Sequence, residues 1–85
     1  MIDQFFNTDG SLTHIPARSS KKLEVLRRIA LGLNPELIYT EFELNEFLAK
    51  FHHDTASLRR YMIEFGIMER DKSSNYWLTR APRQD

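Results

Sequence analysis

The 85-residue chain has no cysteine, a single tryptophan, three glycines and three prolines. Without cysteine, neither a disulfide nor a Cys-containing zinc site can staple the fold, which fits a reducing compartment. No apolar run approaches the roughly 20 residues needed to cross a bilayer. The opening MIDQFFNTDG lacks the basic start and apolar stretch of a secretory signal. The expected location is therefore the cytoplasm, with no membrane partner. There is no glycine-rich phosphate loop, no nucleophile motif and no spaced set of metal ligands. The expectation is a chain that is not an enzyme, with no catalytic residue, cofactor, metal or small-molecule substrate. A surplus of positive charge is missing too: twelve basic residues meet twelve acidic ones. Phosphate contacts supply much of the affinity of a nucleic-acid-binding domain, so this balance weighs against that class unless the charges are segregated.

What remains is ordinary for a small folded domain: 41% hydrophobic and 28% charged residues. This is too apolar for disorder, and close to the smallest size that one core can stabilise. The chain is organised around residues 54–77. Asp54 or Thr55 can cap a helix start, and Leu58, Met62 and Phe65 follow at steps of four and three as one apolar stripe. Gly66 stands where a helix commonly stops in a left-handed residue. An extended run 67–70, a polar turn Asp71-Lys72-Ser73-Ser74-Asn75 and a return strand 76–79 complete the pattern. Tyr76 and Trp77 must face opposite sides of that strand, and the larger indole is expected to close the core.

Before this stretch lie two more helices and an arm. In the arm, residues 1–19, Ile2, Phe5 and Phe6 form the apolar face of a short helix that Asp9-Gly10 closes as a turn, and the two phenylalanines are expected to pack back on the domain. Ser19 or Ser20 is expected to cap a first helix running to about Leu33, with Leu23, Leu26, Ala30 and Leu33 inward. Its polar face holds Arg18, Lys21, Lys22, Arg27 and Arg28 against Glu24, a surplus of four positive charges. That surplus reads as a phosphate-facing surface or, preferably, as a solvated face balancing an acidic neighbour. Asn34-Pro35 breaks the chain, and Leu37-Ile38-Tyr39 suggests a short first strand. Thr40 and Glu43 form a capping box for a second helix whose stripe is Leu44, Phe47, Leu48 and Phe51, with Tyr39 and Leu44 placed as a staple. Its surroundings are acidic, with Glu36, Glu41, Glu43 and Glu46 before any basic residue.

The expected fold is therefore α+β, a winged helix-turn-helix with a three-helix core, a small β-hairpin wing and an N-terminal arm or short helix. The domain proper spans 20–79, and 80–85 is a frayed tail. On such a fold Thr55, Ser57 and Arg60 of the third helix, with Lys72 and Ser73 of the wing, are the candidates for phosphate and base contacts with double-stranded DNA. Arg59 adjoins the apolar stripe and is expected instead to pair with a glutamate of the second helix. His52 and His53 beside Asp54 invite a metal reading, but adjacent side chains on a helix point about 100° apart and His14 is remote. Capping and turn roles are expected for them.

Taken together, FF…DGSLTHIPARSSKKLEVLRRIA…YTEFELNEFL…FHHDTASLRRYMIEFGIMERD…YW resembles a family of small bacterial winged-helix-like domains of unknown function. The likeness covers about residues 5–78. Its most specific pieces are Ile15-Pro16-Ala17, Tyr39-Thr40-Glu41 with Asn45, and Asp54 with Leu58-Arg59-Arg60. Members stand alone or are appended to transcriptional regulators, so the resemblance implies a bacterial, cytoplasmic setting and supplies no activity. Two readings follow for this chain. One is a transcription-related regulatory domain binding DNA through residues 55–65 and the wing. The alternative is a module of the same fold that binds a protein partner, or itself, without touching DNA.

Overall fold

A computed structural model describes residues 3–80. Expectations that involve Ile2 or the tail from 81 onward lie outside these residues. The elements follow one another as a 3₁₀ turn Asp3–Phe5, α1 Ser19–Ala30, β1 Tyr39–Thr40, α2 Glu41–Leu48, α3 Thr55–Glu64, β2 Met68–Arg70 and β3 Asn75–Leu78. The domain is thus α+β, three helices with one antiparallel three-stranded sheet in the order β1-β3-β2. Tyr39 lies opposite Tyr76, and on the other side of β3 Met68 faces Leu78, Glu69 faces Trp77 and Arg70 faces Tyr76.

Local chemistry explains where the central elements start and stop. The Thr40 hydroxyl accepts the Glu43 N–H at 3.1 Å while the Glu43 carboxylate accepts the Thr40 N–H at 2.9 Å, a complete capping box. Thr40 is also the last residue of β1, so strand and helix meet without a loop. Helix α3 is capped by Asp54, whose carboxylate accepts the Ser57 N–H. It stops where Gly66 turns left-handed at φ +72°, which lets the Ile67 N–H return to the Met62 carbonyl at 2.9 Å. In the hairpin the Asp71 carboxylate accepts both the Ser73 and the Asn75 N–H at 2.9 Å, and Ser74 sits at φ 62°.

Three expectations are corrected. Helix α1 starts at Ser19 and ends at Ala30, not Leu33; its cap position is Arg18, in extended conformation, with no side-chain capping bond. Leu33 is nevertheless buried through a turn that carries it under the core. The first strand is Tyr39–Thr40, and Leu37 and Ile38 are exposed. An Asx turn, in which the Asn34 side chain accepts the Glu36 N–H at 2.8 Å, holds the chain off the sheet until Tyr39. Finally Tyr76, not Trp77, closes the core, with 2% exposure. Met68 is buried and shares a sheet face with Leu78 and Tyr76, so the period of two turns Trp77 outward.

The core gathers Val25, Leu26 and Ile29 of α1, Leu44 and Leu48 of α2, Leu58 and Met62 of α3, and Met68 and Tyr76 of the sheet. The arm contributes Leu12, which is buried, and the partly buried Phe5, Phe6 and Ile15, which pack against the same cluster. Gly32 lets the segment after α1 lie on Phe47, where an added Cβ would sit 3.0 Å from the ring.

Two substitutions test this account by thermal or denaturant unfolding. Leu58→Ala empties a site with no solvent exposure and should cost roughly 2–5 kcal/mol. Gly66→Ala meets no atom within 4 Å, so its expected loss of about 1–2 kcal/mol comes from the left-handed backbone alone. A neutral Gly66→Ala would mean that the turn is not held at positive φ.

Candidate functional site

The capped start of α3 decides what its first turn can offer. The Ser57 hydroxyl donates to one Asp54 carboxylate oxygen at 2.7 Å and the Ser57 N–H to the other at 3.1 Å. The Asp54 N–H in turn bonds His52 Nδ1 at 3.0 Å. The Ser57 hydroxyl, then its N–H, hold the Asp54 carboxyl below its ordinary value of 3.8. Ser57 is therefore engaged in its own helix cap, and Thr55 beside it is half-buried.

One turn further on, Arg59 points toward α2. Its guanidinium donates to the Asn45 side-chain oxygen and lies 3.8 Å from the Glu41 carboxylate. The other oxygen of Glu41 accepts the Tyr76 hydroxyl at 2.9 Å. A single carboxylate thus joins α2, α3 and β3. Arg60 is exposed and pairs with Glu64 at 3.7 Å, a contact between solvated groups.

Between α3 and the sheet runs an open groove of about 220 Å³. Arg59, Arg60 and Glu64 of α3 line it together with Arg70 and Tyr76 of the sheet, and Ala56 and Ile63 complete its wall. Arg70 is held there by its bond to the Ser74 hydroxyl at 3.1 Å and by the face of Tyr76, 5.4 Å away. The basic character continues past the groove. The ring of Tyr61 carries Lys22 Nζ of α1 at 4.0 Å and the Arg60 guanidinium at 5.4 Å. Lys22 and Arg60 thus share the ring of Tyr61, and Arg70 lies over Tyr76, so cations of three different elements stand on two tyrosines.

Of the residues singled out from sequence, the structure brings Arg59 and Arg60 together. Thr55, Ser57, Lys72 and Ser73 do not line the groove; Lys72 and Ser73 stand exposed at the hairpin tip. Lys22, Tyr61, Arg70 and Tyr76 were missed as parts of one site. Strand parity could have paired Arg70 with Tyr76, but nothing local to α1 points Lys22 at Tyr61. The charges of α1 are also balanced differently from expectation. Arg28 pairs with Asp3 of the arm at 2.7 Å and Lys21 with Glu24 at 3.9 Å, whereas the glutamate of α2 is met by Arg59.

The histidines are engaged locally. His52 and His53 stack with ring centres 4.4 Å apart, and His14 lies edge-on to Phe5 at 5.2 Å. Among the described residues, no group of three or more His, Cys, Asp or Glu side chains is placed to hold a metal ion. No described helix is long and apolar enough to cross a membrane.

Two measurements probe the site. Arg59→Met leaves the Asn45 oxygen without its donor and Glu41 without its cation, and should destabilise by about 1–3 kcal/mol; Arg60→Ala should stay within about 0.5 kcal/mol. Equal losses would remove the distinction drawn between them. The second is acid unfolding. A carboxyl depressed in the folded state contributes its stability above the unfolded value of 3.8 and loses it as pH falls through the folded one. Tm should therefore drop from about pH 5 to about pH 2. Asp54→Asn, which keeps a cap acceptor that does not titrate, should flatten part of that drop. Asp9 and Asp71, depressed by Ser11 and Asn75 respectively, act in the same direction.

No curated protein and no solved structure matches the chain significantly. A family model does: it covers residues 11–78, which include α1, the capping box, the α3 arginines and the whole hairpin. By that match the chain belongs to the bacterial family described as uncharacterized protein conserved in bacteria (DUF2087).

Proposed function

We propose that this domain is a winged helix that binds double-stranded DNA, with β2 and β3 as the wing and the α3 groove as the centre of the contact. The observation that carries the reading is that Lys22 and Arg60 share the ring of Tyr61 while Arg60 and Arg70 line one groove with Tyr76. It gives a net-neutral chain a local cationic surface, which its overall composition argues against. The order of α2, the connection 49–54, α3 and a hairpin supports the architecture. A role in bacterial transcription regulation, in the cytoplasm, rests on the resemblance to domains appended to regulators.

The chemistry also sets how such a domain would sit. In helix-turn-helix docking the first helix of the motif crosses the phosphate backbone. Here that helix opens with Glu41 and Glu43, followed by Glu46, charges that repel phosphates. Glu41 is compensated by Arg59, whereas Glu43 and Glu46 are exposed. The phosphates then fall to Lys22, Arg60 and Arg70, with Lys72 and Ser73 reaching from the wing tip. Affinity of this kind is mostly sequence-independent, with Kd of order 10⁻⁴–10⁻⁶ M at physiological salt.

Fluorescence anisotropy with mixed genomic duplexes tests the reading. Each phosphate neutralised should contribute about −0.9 to the log–log salt slope. Lys22→Ala, Arg60→Ala and Arg70→Ala should each flatten the slope by about one unit and weaken binding uniformly across sequences. Lys72→Ala should do the same if the wing tip reaches a phosphate. Absence of binding up to about 100 μM at low salt would reject DNA binding by this domain.

A further inference from the structure

Among the described residues four large apolar side chains are exposed, and three of them fall within six consecutive residues: Leu37 at 49%, Ile38 at 67% and Phe42 at 70%. They flank β1, an edge strand whose only sheet neighbour among the described residues is β3. Tyr39 pairs with Tyr76. Continuing that register by one step sets Ile38 beside Trp77 on the outer face of the sheet. Trp77 is half-buried there, and its indole N–H donates to Glu69 at 3.2 Å. Leu37, Ile38, Trp77 and Leu78 line a groove of about 430 Å³. None of these residues belongs to the basic site between α3 and the hairpin.

The charges around this surface have one dominant sign. Glu36 and Asp71 line the groove, with Arg80 its one cation among the described residues, and the exposed Glu69 stands against the Trp77 indole. No basic residue occurs from 36 to 46. A second copy paired about a two-fold axis through β1 would set these carboxylates against their own counterparts, an arrangement that like-charge repulsion disfavours. Apolar anchors beside Glu36, Glu69 and Asp71 fit a segment of the opposite charge.

We propose that the outer face of β1 and β3, from Leu37 and Ile38 to Trp77, docks a cationic amphipathic segment of a partner protein. Its apolar side chains enter the groove over Trp77, and its lysines or arginines meet Glu36 and Glu69. Apolar burial supplies the anchoring, while the carboxylates set the association rate and exclude acidic partners. This inference does not rest on DNA binding.

Trp77 is the only tryptophan of the chain and stands in the groove, so its emission reports occupancy directly. The probes are two synthetic helical peptides without aromatic residues, one built of leucine and lysine, the other with glutamate in place of each lysine. The expected result is a saturable blue shift of Trp77 emission with the lysine peptide and none with the glutamate peptide. Ile38→Ser should abolish the shift. Glu36→Lys should weaken it severalfold at low salt. Ile38→Ser should leave the thermal melt and DNA anisotropy unchanged, which separates this face from the basic site. The proposal is overturned if the lysine peptide causes no shift up to about 1 mM, weaker than any specific interface of this kind, or if both peptides act alike. It is equally overturned if Ile38→Ser changes nothing. A concentration-dependent dimer in sedimentation equilibrium that Ile38→Ser abolishes would assign the face to a second copy instead.

Discussion

The carboxylate of Glu41 is where the three layers of this domain are tied. It stands in the first turn of α2, accepts the hydroxyl of Tyr76 from β3 and faces the guanidinium of Arg59 from α3. Tyr76 can be buried because this oxygen satisfies its hydroxyl, and Arg59 lies against the core because Glu41 and Asn45 together receive its donors. The Glu41 side chain is 40% exposed, so solvent screens the pair and its worth is more geometric than energetic. What it fixes is the angle of α3 to the sheet. The groove between them, and hence the spacing of Arg59, Arg60 and Arg70, follows from that angle.

The same junction explains how so short a strand survives. Two-residue β1 would not hold by its ladder alone. It runs directly into the capping box of Thr40, and the Tyr39 hydroxyl before it accepts the Asn34 N–H at 2.8 Å. Strand, cap and turn thus meet at Tyr39 and Thr40. One consequence is that the segment just before β1 cannot enter the sheet, which leaves Leu37 and Ile38 on the outside.

Neutral net charge conceals a segregation. The arm neutralises part of α1 through Asp3 and Arg28, and Phe6 lies under the same guanidinium at 5.2 Å. Of what is left of the α1 surplus, Lys22 faces α3 over the ring of Tyr61. Glu36, Glu43 and Glu46 stand exposed along 36–46, close in sequence to exposed apolar side chains. A domain of this size has few ways to present two chemically different surfaces, and dividing its charges between elements is one that leaves the core untouched.

Signals carried within a few residues were legible in the sequence. The capping box of Thr40 and Glu43, the Asp54 cap, the left-handed stop at Gly66 and the polar turn at 71–75 each depend on hydrogen bonds or backbone angles that neighbouring residues decide. So the order of helices and hairpin, and the buried Leu44, Leu48, Leu58 and Met62, could be read from spacing. The parity of β3 could not, since Tyr76 and Trp77 are both good strand residues and only the burial of Met68 across the ladder decides between them. Nor could the site. Lys22 and Tyr61 are thirty-nine positions apart, and their meeting depends on how α1 crosses α3, a packing angle that no local pattern encodes. The sequence by itself determined which segments become helix, strand and turn, because those choices are made by short-range bonds. Which charges stand together was decided only by the tertiary structure, because electrostatic neighbours across a core are set by where the apolar faces dock.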